Sequence, residues 1–541
     1  YVRFMNEYLF DHVDIDAKNI HIPDGTIPKK SILGYCQQFE QEIKNCGGID
    51  LQILGIGRTG HIGFNEPGSS FNSGTRLINL DHITILDAAS DFFQERNVPR
   101  KAITMGVGTI MRSKKIVLMA WGEGKAEIIK KAIEGEVTDS IPATFLQDHP
   151  DATIYLDQAA AAELVRVKSR WLVSTCEWDR DLARKAVVWL SQKLNKPILK
   201  LTDRDYSDNG MSDLVVEFGS AYKINIDIFN QLQHTITGWP GGKPNADDTY
   251  RPERTEPAQK RVVIFSPHPD DDVISMGGTF QRLADQGHDI HVAYQTSGNI
   301  AVFDEDVIRY VDFLVDFSDT NGEENKEVRN IYERVSDTLN KKEQGQVDSP
   351  EIQRIKTLIR RGEAKSACRY IGLTDEKAHF LDMPFYETGM VKKKPISEAD
   401  VDIIVNLLKE IKPHQIYAAG DLSDPHGTHQ VCFIAINKAL DILKNESWMK
   451  DCYVWLYRGA WQEWDINDIN MAVPLSPDEV INKRKAIFKH QSQKDSALFP
   501  GHDKREFWQR SEFRNKKTAE LYNNLGLAEY EAIEAFKRYY F

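Results

Sequence analysis

Apolar positions fall into two recurring patterns: short runs that stop at turn formers, and longer stretches with helical spacing. Val262 to Phe265, in Arg261-Val-Val-Ile-Phe-Ser266, is an unbroken run expected of a parallel strand buried on both faces. Gln415-Ile-Tyr-Ala-Ala419 is a second strand-like run, and Asp50-Leu-Gln-Ile-Leu-Gly-Ile-Gly57 predicts a strand entering a glycine turn. Met276-Gly-Gly-Thr-Phe-Gln-Arg-Leu-Ala284 predicts a helix and His288-Asp-Ile-His-Val-Ala-Tyr294 the next strand, which together make a βαβ unit. Between residues 171 and 195, Leu182, Ala183, Ala186, Val187, Leu190 and Leu194 share one face of an amphipathic helix, with Cys176 and Trp178 as packing residues near its start.

The punctuation is equally informative. Thr237-Gly-Trp-Pro-Gly-Gly-Lys-Pro244 and Arg251-Pro-Glu-Arg-Thr-Glu-Pro257 are dense in Pro, Gly and charge, and predict a linker. Residues 318–350 carry a run of charged side chains expected on an exposed helix or lid. The aromatic tail, including Phe507, Trp508, Phe513, Tyr522, Phe536 and Phe541, is expected to serve packing or subunit contacts, so a homo-oligomer is expected.

At 541 residues and 41% hydrophobic content the chain is long enough for two to four domains with real cores. A formal charge of −13 argues against a nucleic-acid partner, since a phosphate backbone favours a basic surface. No run of about 18 apolar residues is present, so no membrane partner is expected. The six cysteines lack a Cys-x-x-Cys pair and read as reduced thiols of a cytoplasmic protein. Tyr1 to Tyr8 carry neither an initiator methionine nor a signal peptide, and the natural start is expected upstream.

The strongest chemical signal follows the first apolar run, where Pro267-His-Pro-Asp-Asp-Asp272 places one imidazole and three carboxylates at a strand end. Binding groups collect at the carboxyl ends of strands in open α/β sheets. Asp424-Pro-His-Gly-Thr-His429 adds two imidazoles after the second run. Two imidazoles and a carboxylate, with the fourth position left to water, suit a catalytic Zn²⁺ better than the oxygen-only sites of Ca²⁺ or Mg²⁺. Taken singly, each cluster also fits a solvated turn with surface histidines.

These residues carry a resemblance. Residues from about 258 to 500 resemble the PIG-L/LmbE family of metal-dependent N-acetylglucosaminyl deacetylases, through Pro267-His-Pro-Asp-Asp271 and His426-Gly-Thr-His429. The resemblance implies that His268, Asp271 and His429 hold the metal, that Asp270 is the general base, and that His426 assists developing charge. Arg360, in Arg360-Arg-Gly-Glu363, is implied to contact substrate, and His490-Gln-Ser-Gln493 matches a late element of the family. Where the family continues with Glu, this chain has Asp272, the same charge on a shorter arm.

Gly55, Gly57 and Gly60 also fit Gly-x-Gly-x-x-Gly, but Pro67 and the following Gly-Ser-Ser turn interrupt the helix that would receive a dinucleotide pyrophosphate. Instead, residues 1 to about 165 resemble glucosamine-6-phosphate deaminases, in the wider group that includes 6-phosphogluconolactonases. The matching stretches are Leu9 to Ile15, Gly55 to Pro67, Ser73-Gly-Thr-Arg76 and Thr104 to Thr109. This resemblance implies that His61 opens a pyranose ring with Glu66 in an acidic relay, and that Lys125 and Arg76 bind substrate. Thr59 stands where the family has an acidic partner, and Asp91 where it has a phosphate-binding cation. A threonine hydroxyl orients an imidazole but does not stabilise its cation as a carboxylate does.

The expected architecture is α/β, with two Rossmann-like domains of mostly parallel sheet joined by a helical and linker region. Residues 1–165 form the deaminase-like domain, truncated at its start, 166–257 the connecting region, and 258–541 the deacetylase-like domain with a helical tail. The expected substrate is a small amino sugar or amino-sugar phosphate, and the expected cofactor is Zn²⁺ or another divalent transition metal in the second domain. A sugar-binding regulator or scaffold without turnover, and a lactonase-type hydrolase in the first domain, stand as alternatives.

Overall fold

The chain divides into two units, Tyr1–Val173 and Ser174–Phe541. The structure, a computed structural model, describes residues 2–88, 97–245, 257–320, 326–343, 346–389, 393–422, 427–459, 461–494 and 505–541.

In the first unit β1 (Leu51–Gly55), β2 (Arg76–Asn79), β3 (Lys101–Thr104), β4 (Lys115–Ala120) and β5 (Ala152–Leu156) form two sheets. β1, β4 and β5 are parallel in the order β1-β4-β5, while β2 and β3 make an antiparallel ribbon. Along β4, Ile116, Leu118 and Ala120 are buried while Lys115 and Met119 are exposed, the period-two pattern of a strand with one packed face. Helix Ala126–Glu134 covers that face through Ile128, Ile129 and Ala132.

The second unit is built on seven strands: β6 (Arg261–Ser266), β7 (Asp289–Tyr294), β8 (Ala378–Phe380), β9 (Gln415–Ala419), β10 (Tyr453–Tyr457), β11 (Met471–Leu475) and β12 (Ala532–Tyr539). Their order is β11-β12-β10-β9-β6-β7-β8. β8, β7, β6, β9 and β10 are mutually parallel, and β12 runs against both its neighbours. From β6 the chain builds outward through β7 to β8, then returns to β9 on its other side. That reversal creates a switch point between β6 and β9, with a crevice beyond their carboxyl ends. Val262 to Phe265 are fully buried, so β6 is an interior strand, next to the central β9.

Helix Asp271–Asp285 begins one turn before the expected Met276, because Asp271 and Asp272 favour the positive end of the helix dipole. Met276 breaks its helical geometry with φ −133° and ψ 26°. The N–H groups of Gly278 and Thr279 donate instead to Glu534 on β12, at 3.0 and 2.6 Å. Glu534 is neutralised by Lys483 at 2.7 Å, and both side chains are 1% exposed.

Other predicted elements take more packed forms than their composition implied. Helix Arg180–Leu194 buries Leu182, Ala186 and Leu190. Thr237 N donates to Ala472 O, and Pro240 O accepts from Gln415, so this Pro/Gly-rich stretch lies against the sheet. Residues 246–256 of that stretch lie outside the described residues. Within residues 318–350, helix Lys326–Lys341 buries Val335 against Val307, Val311 and Ile352. Of the aromatic tail, Tyr522 and Phe536 are core residues, whereas Tyr540 is exposed.

Two histidines brace the start of β6: His288 Nδ1 accepts from Lys260 N at 3.1 Å, and His414 Nδ1 from Arg261 N at 2.9 Å. Burial, with nearby positive charge, pushes both down to about 4. A group depressed from its ordinary value near 6.5 is neutral in the fold yet charges in the unfolded chain between those values. The contribution of these two histidines to stability is therefore expected to be full above about pH 6.5 and to be lost as pH falls towards 4. Urea midpoints of the parent and of His288→Gln with His414→Gln, measured between pH 7.5 and 5, check this, and a difference between the two that does not change with pH contradicts it.

Candidate functional site

The carboxyl end of β6 runs into Pro267 and His268, and helix Asp271–Asp285 starts three residues later. His429 lies in the first turn of helix Thr428–Leu443, which follows β9. The two segments therefore meet at the switch-point crevice. Asp271 Oδ2 lies 3.2 Å from His268 Nδ1 and 3.1 Å from His429 Nε2, and the potential ligand atoms of all three lie within 4.8 Å of one another. A tetrahedral ion with bonds of ~2.1 Å spaces its ligand atoms about 3.4 Å apart. Donor types and spacing both fit a divalent metal ion. Burial pushes Asp271 up, but the charges and hydrogen bonds of His429 and His268 outweigh it and hold this carboxyl well below its usual range.

Surrounding groups fix the donors. His429 Nδ1 bonds the backbone carbonyl of Asp421 at 2.9 Å, directing Nε2 at the cluster. The Asp421 carboxylate in turn accepts from Gln462 N at 2.9 Å. Asp272, fully buried, accepts from Ser266 Oγ at 3.2 Å and from the Tyr294 hydroxyl at 3.1 Å. Burial pushes Asp272 up to about 7 despite that hydroxyl.

Asp270 faces a different neighbour. Its Oδ1 lies 3.2 Å from Arg360 NH2, and Arg360 is 1% exposed on helix Pro350–Ile371. Burial disfavours the Arg360 cation, but Asp270 and Glu363 more than compensate and raise it. Glu363 is itself held by the N–H and hydroxyl of Ser492, both at 2.7 Å. Arg360 Nε and NH1 and both ring nitrogens of buried His490 have no hydrogen-bond partner among the described residues. Burial, then the Arg360 charge, keeps His490 neutral by lowering it well below the usual histidine value. A small cavity beside Asp270 is lined by His490, Gln493, Phe507 and Trp508. Buried polar atoms left unpaired beside a cavity are costly unless a ligand or water completes them.

The first unit holds the second constellation. His61 Nδ1 lies 2.9 Å from Thr59 Oγ1 and 3.2 Å from Glu66 Oε2, and Thr59 Oγ1 also donates to Glu66 at 3.2 Å. The carboxylate thus reaches the imidazole directly, and Thr59 joins the relay instead of replacing it. Burial pushes Glu66 up, but bonds from His61, Thr84 and the Asp81 N–H hold it below its usual value. Lys125 Nζ donates to Ile56 O at 2.9 Å, at the base of the same glycine loop, and burial lowers its affinity for a proton. Arg76 is engaged by Asn65 Oδ1 and Ser69 Oγ, both at 2.8 Å, and so braces the loop bearing Glu66. A Cβ on Gly57 falls onto the His61 ring. Gly57→Ala is accordingly expected to displace His61 and cost about 1–3 kcal/mol in a urea titration; an unchanged midpoint contradicts that packing.

The structure brings together His268, Asp271, His429, Asp270 and Arg360 in one unit and His61, Glu66, Arg76 and Lys125 in the other. His426 and Asp91 lie outside the described residues. Sequence reasoning missed Asp421, Ser266 and Tyr294. Asp421 stands two residues past β9, so the strand-end rule that flagged His268 also flags it.

A parallel α/β sheet with a His/Asp/His cluster at its switch point defines a protein with a metal-centre type of site, here joined to a second α/β unit with a His/Glu relay. The model for glucosamine-6-phosphate isomerases/6-phosphogluconolactonase matches residues 1–155, and that for GlcNAc-PI de-N-acetylase (PIG-L) matches residues 263–440. A glucosamine-6-phosphate deaminase-like protein of Bacteroides thetaiotaomicron is 57% identical over 538 residues, covering 99% of this chain and 81% of its own length. The chain belongs to that glucosamine-6-phosphate deaminase-like family, and both resemblances read from the sequence hold.

The glucosamine-6-phosphate deaminase of Shewanella woodyi is 49% identical over 164 residues, 30% of this chain, which spans 61% of that enzyme's length. Among solved structures, a monomeric glucosamine-6-phosphate deaminase is 41% identical over 30% of this chain and 66% of its own, with a TM-score of 0.29. The N,N'-diacetylchitobiose deacetylase from Pyrococcus horikoshii is 18% identical over 58% of this chain and 92% of its own, with a TM-score of 0.33. Among the described residues, no helix is long and apolar enough to cross a membrane.

Proposed function

We propose that the second unit is a zinc-dependent hydrolase that removes the acetyl group from an N-acetylglucosamine derivative. The observation that carries this reading is the convergence of His268, Asp271 and His429 beside the Asp270–Arg360 pair. A divalent ion held by those three residues supplies Lewis-acid activation of water and of an amide carbonyl. Asp270 Oδ accepts the proton that water must lose, with Arg360 holding the carboxylate in place. The same oxygen then returns that proton to the departing amine nitrogen. The unpaired N–H groups of Arg360 and the neutral ring of His490 bind and orient sugar hydroxyls. His426 is assigned to support the charge that develops on the carbonyl oxygen.

In the first unit His61, with Glu66 and Thr59 on Nδ1, is assigned to bind and open an amino-sugar ring, with Lys125 and Arg76 supporting the pocket. The order is chemically coherent, because deacetylation exposes the amine that a deaminase removes. Acetate release from a panel of N-acetylglucosamine derivatives, with added Zn²⁺ and after chelation, tests the proposal. Metal-dependent release is expected; bound metal without release from any derivative contradicts it and favours a binding role.

A further inference from the structure

Helix Asp304–Thr320 is apolar on two faces, and the described residues cover one of them. Val307 and Val311 are buried against Val335 and Ile352. Tyr310, Phe313, Leu314 and Phe317 recur at i, i+3, i+4 and i+7 on the adjoining face, where they are 39, 62, 49 and 59% exposed. The Phe313 and Phe317 rings stack with centroids 6.0 Å apart, so the stripe is continuous. An apolar patch of a few hundred Å² left in water marks a contact surface. From the sizes of these side chains the stripe presents roughly 500 Å², and two such stripes face to face remove roughly 1,000 Å² from water, enough for a specific interface.

The border of the stripe identifies what covers it. Arg309 and Asp316 are both exposed and stand seven residues apart, hence on the same border. Two copies of the helix laid parallel set Arg309 against Arg309. Laid antiparallel, about a two-fold axis between residues 313 and 314, Tyr310 meets Phe317 of the second copy and Phe313 meets Leu314. Arg309 then comes within two residues of Asp316 of the second copy, about 3 Å along the axis and well inside the reach of its side chain. One symmetric contact therefore makes two ion pairs beside an apolar seam. Within the single chain Arg309 already lies at that border, 2.8 Å from Asp306 and 5.5 Å over the Tyr310 ring.

The helix is also firmly seated. Asp304 at its start pairs with Lys342 at 2.8 Å and with Lys356 at 2.7 Å, and the Lys356 side chain is 4% exposed. A stripe on a fixed frame needs little ordering when a partner arrives. We infer that helix Asp304–Thr320 is the contact surface of a two-fold dimer, lying antiparallel on the same helix of a second copy of this chain. The contact is independent of the chemistry proposed for either unit.

Sedimentation velocity of the full chain across a concentration series tests it. The parent is expected to associate in pairs. Phe313→Ser and Arg309→Glu are each expected to raise the dissociation constant at least about tenfold, and Arg309→Glu with Asp316→Arg to return it to within about threefold of the parent. All three replaced side chains are exposed, so the variants are expected to fold. A parent that stays monomeric throughout overturns the inference, as does a dimer that Phe313→Ser leaves unaltered. A swapped chain that associates no better than Arg309→Glu overturns the antiparallel contact. A parent that remains monomeric alone and pairs only with a different protein assigns the stripe to that protein and also overturns it.

Discussion

Asp270→Asn is expected to retain one zinc ion per chain and to lose about 10²–10⁴-fold in acetate release, the usual contribution of a positioned general base. The geometry separates the two properties. The potential ligand atoms of His268, Asp271 and His429 converge on one another, while Asp270 is paired with Arg360. An amide at position 270 keeps the side chain's shape and still accepts from Arg360, but it takes no proton from water. Zinc content by atomic absorption and kcat for the same preparation check the prediction together. Unchanged turnover removes Asp270 from the mechanism, and lost metal shows that it belongs to the ligand set.

The largest expected effect on stability lies away from the centre. Lys483→Met leaves Glu534 buried without its cation, and breaking one partner of such a pair costs about 3–5 kcal/mol. Glu534 does more than balance Lys483: it accepts the Gly278 and Thr279 N–H groups freed by the break at Met276. Helix Asp271–Asp285 therefore depends on a residue near the end of the chain for its second half. Lys483→Met is expected to lower the urea midpoint strongly, and Lys483→Met with Glu534→Gln to recover part of the loss. A single variant as stable as the parent shows that the pair contributes nothing net.

Strand β6 and its chemistry were legible because one local pattern encodes both. An apolar run buried on two faces ended at His268, Asp270 and Asp271, and a second run ended before His429. Asp421 escaped because it acts on His429 through a backbone carbonyl, which any residue type supplies. The Lys483–Glu534 pair was illegible for another reason: two charged residues distant in sequence read as solvated surface until β12 brings one of them into the sheet. β12 itself was hidden within an apparently helical aromatic tail, and its antiparallel direction is a property of the assembled sheet. In the first unit the substitution of Thr59 read as a lost carboxylate. In the folded loop Glu66, already expected in the relay, and Thr59 both reach His61 Nδ1.

Reconstitution of the stripped protein with measured amounts of Zn²⁺, followed by acetate release from the best N-acetylglucosamine derivative, addresses the deacetylase claim most directly. Activity is expected to rise linearly to one equivalent of metal in the parent chain and to stay at background in His429→Ala. Release that ignores zinc, or that survives in His429→Ala, contradicts a metal-dependent deacetylase built on His268, Asp271 and His429.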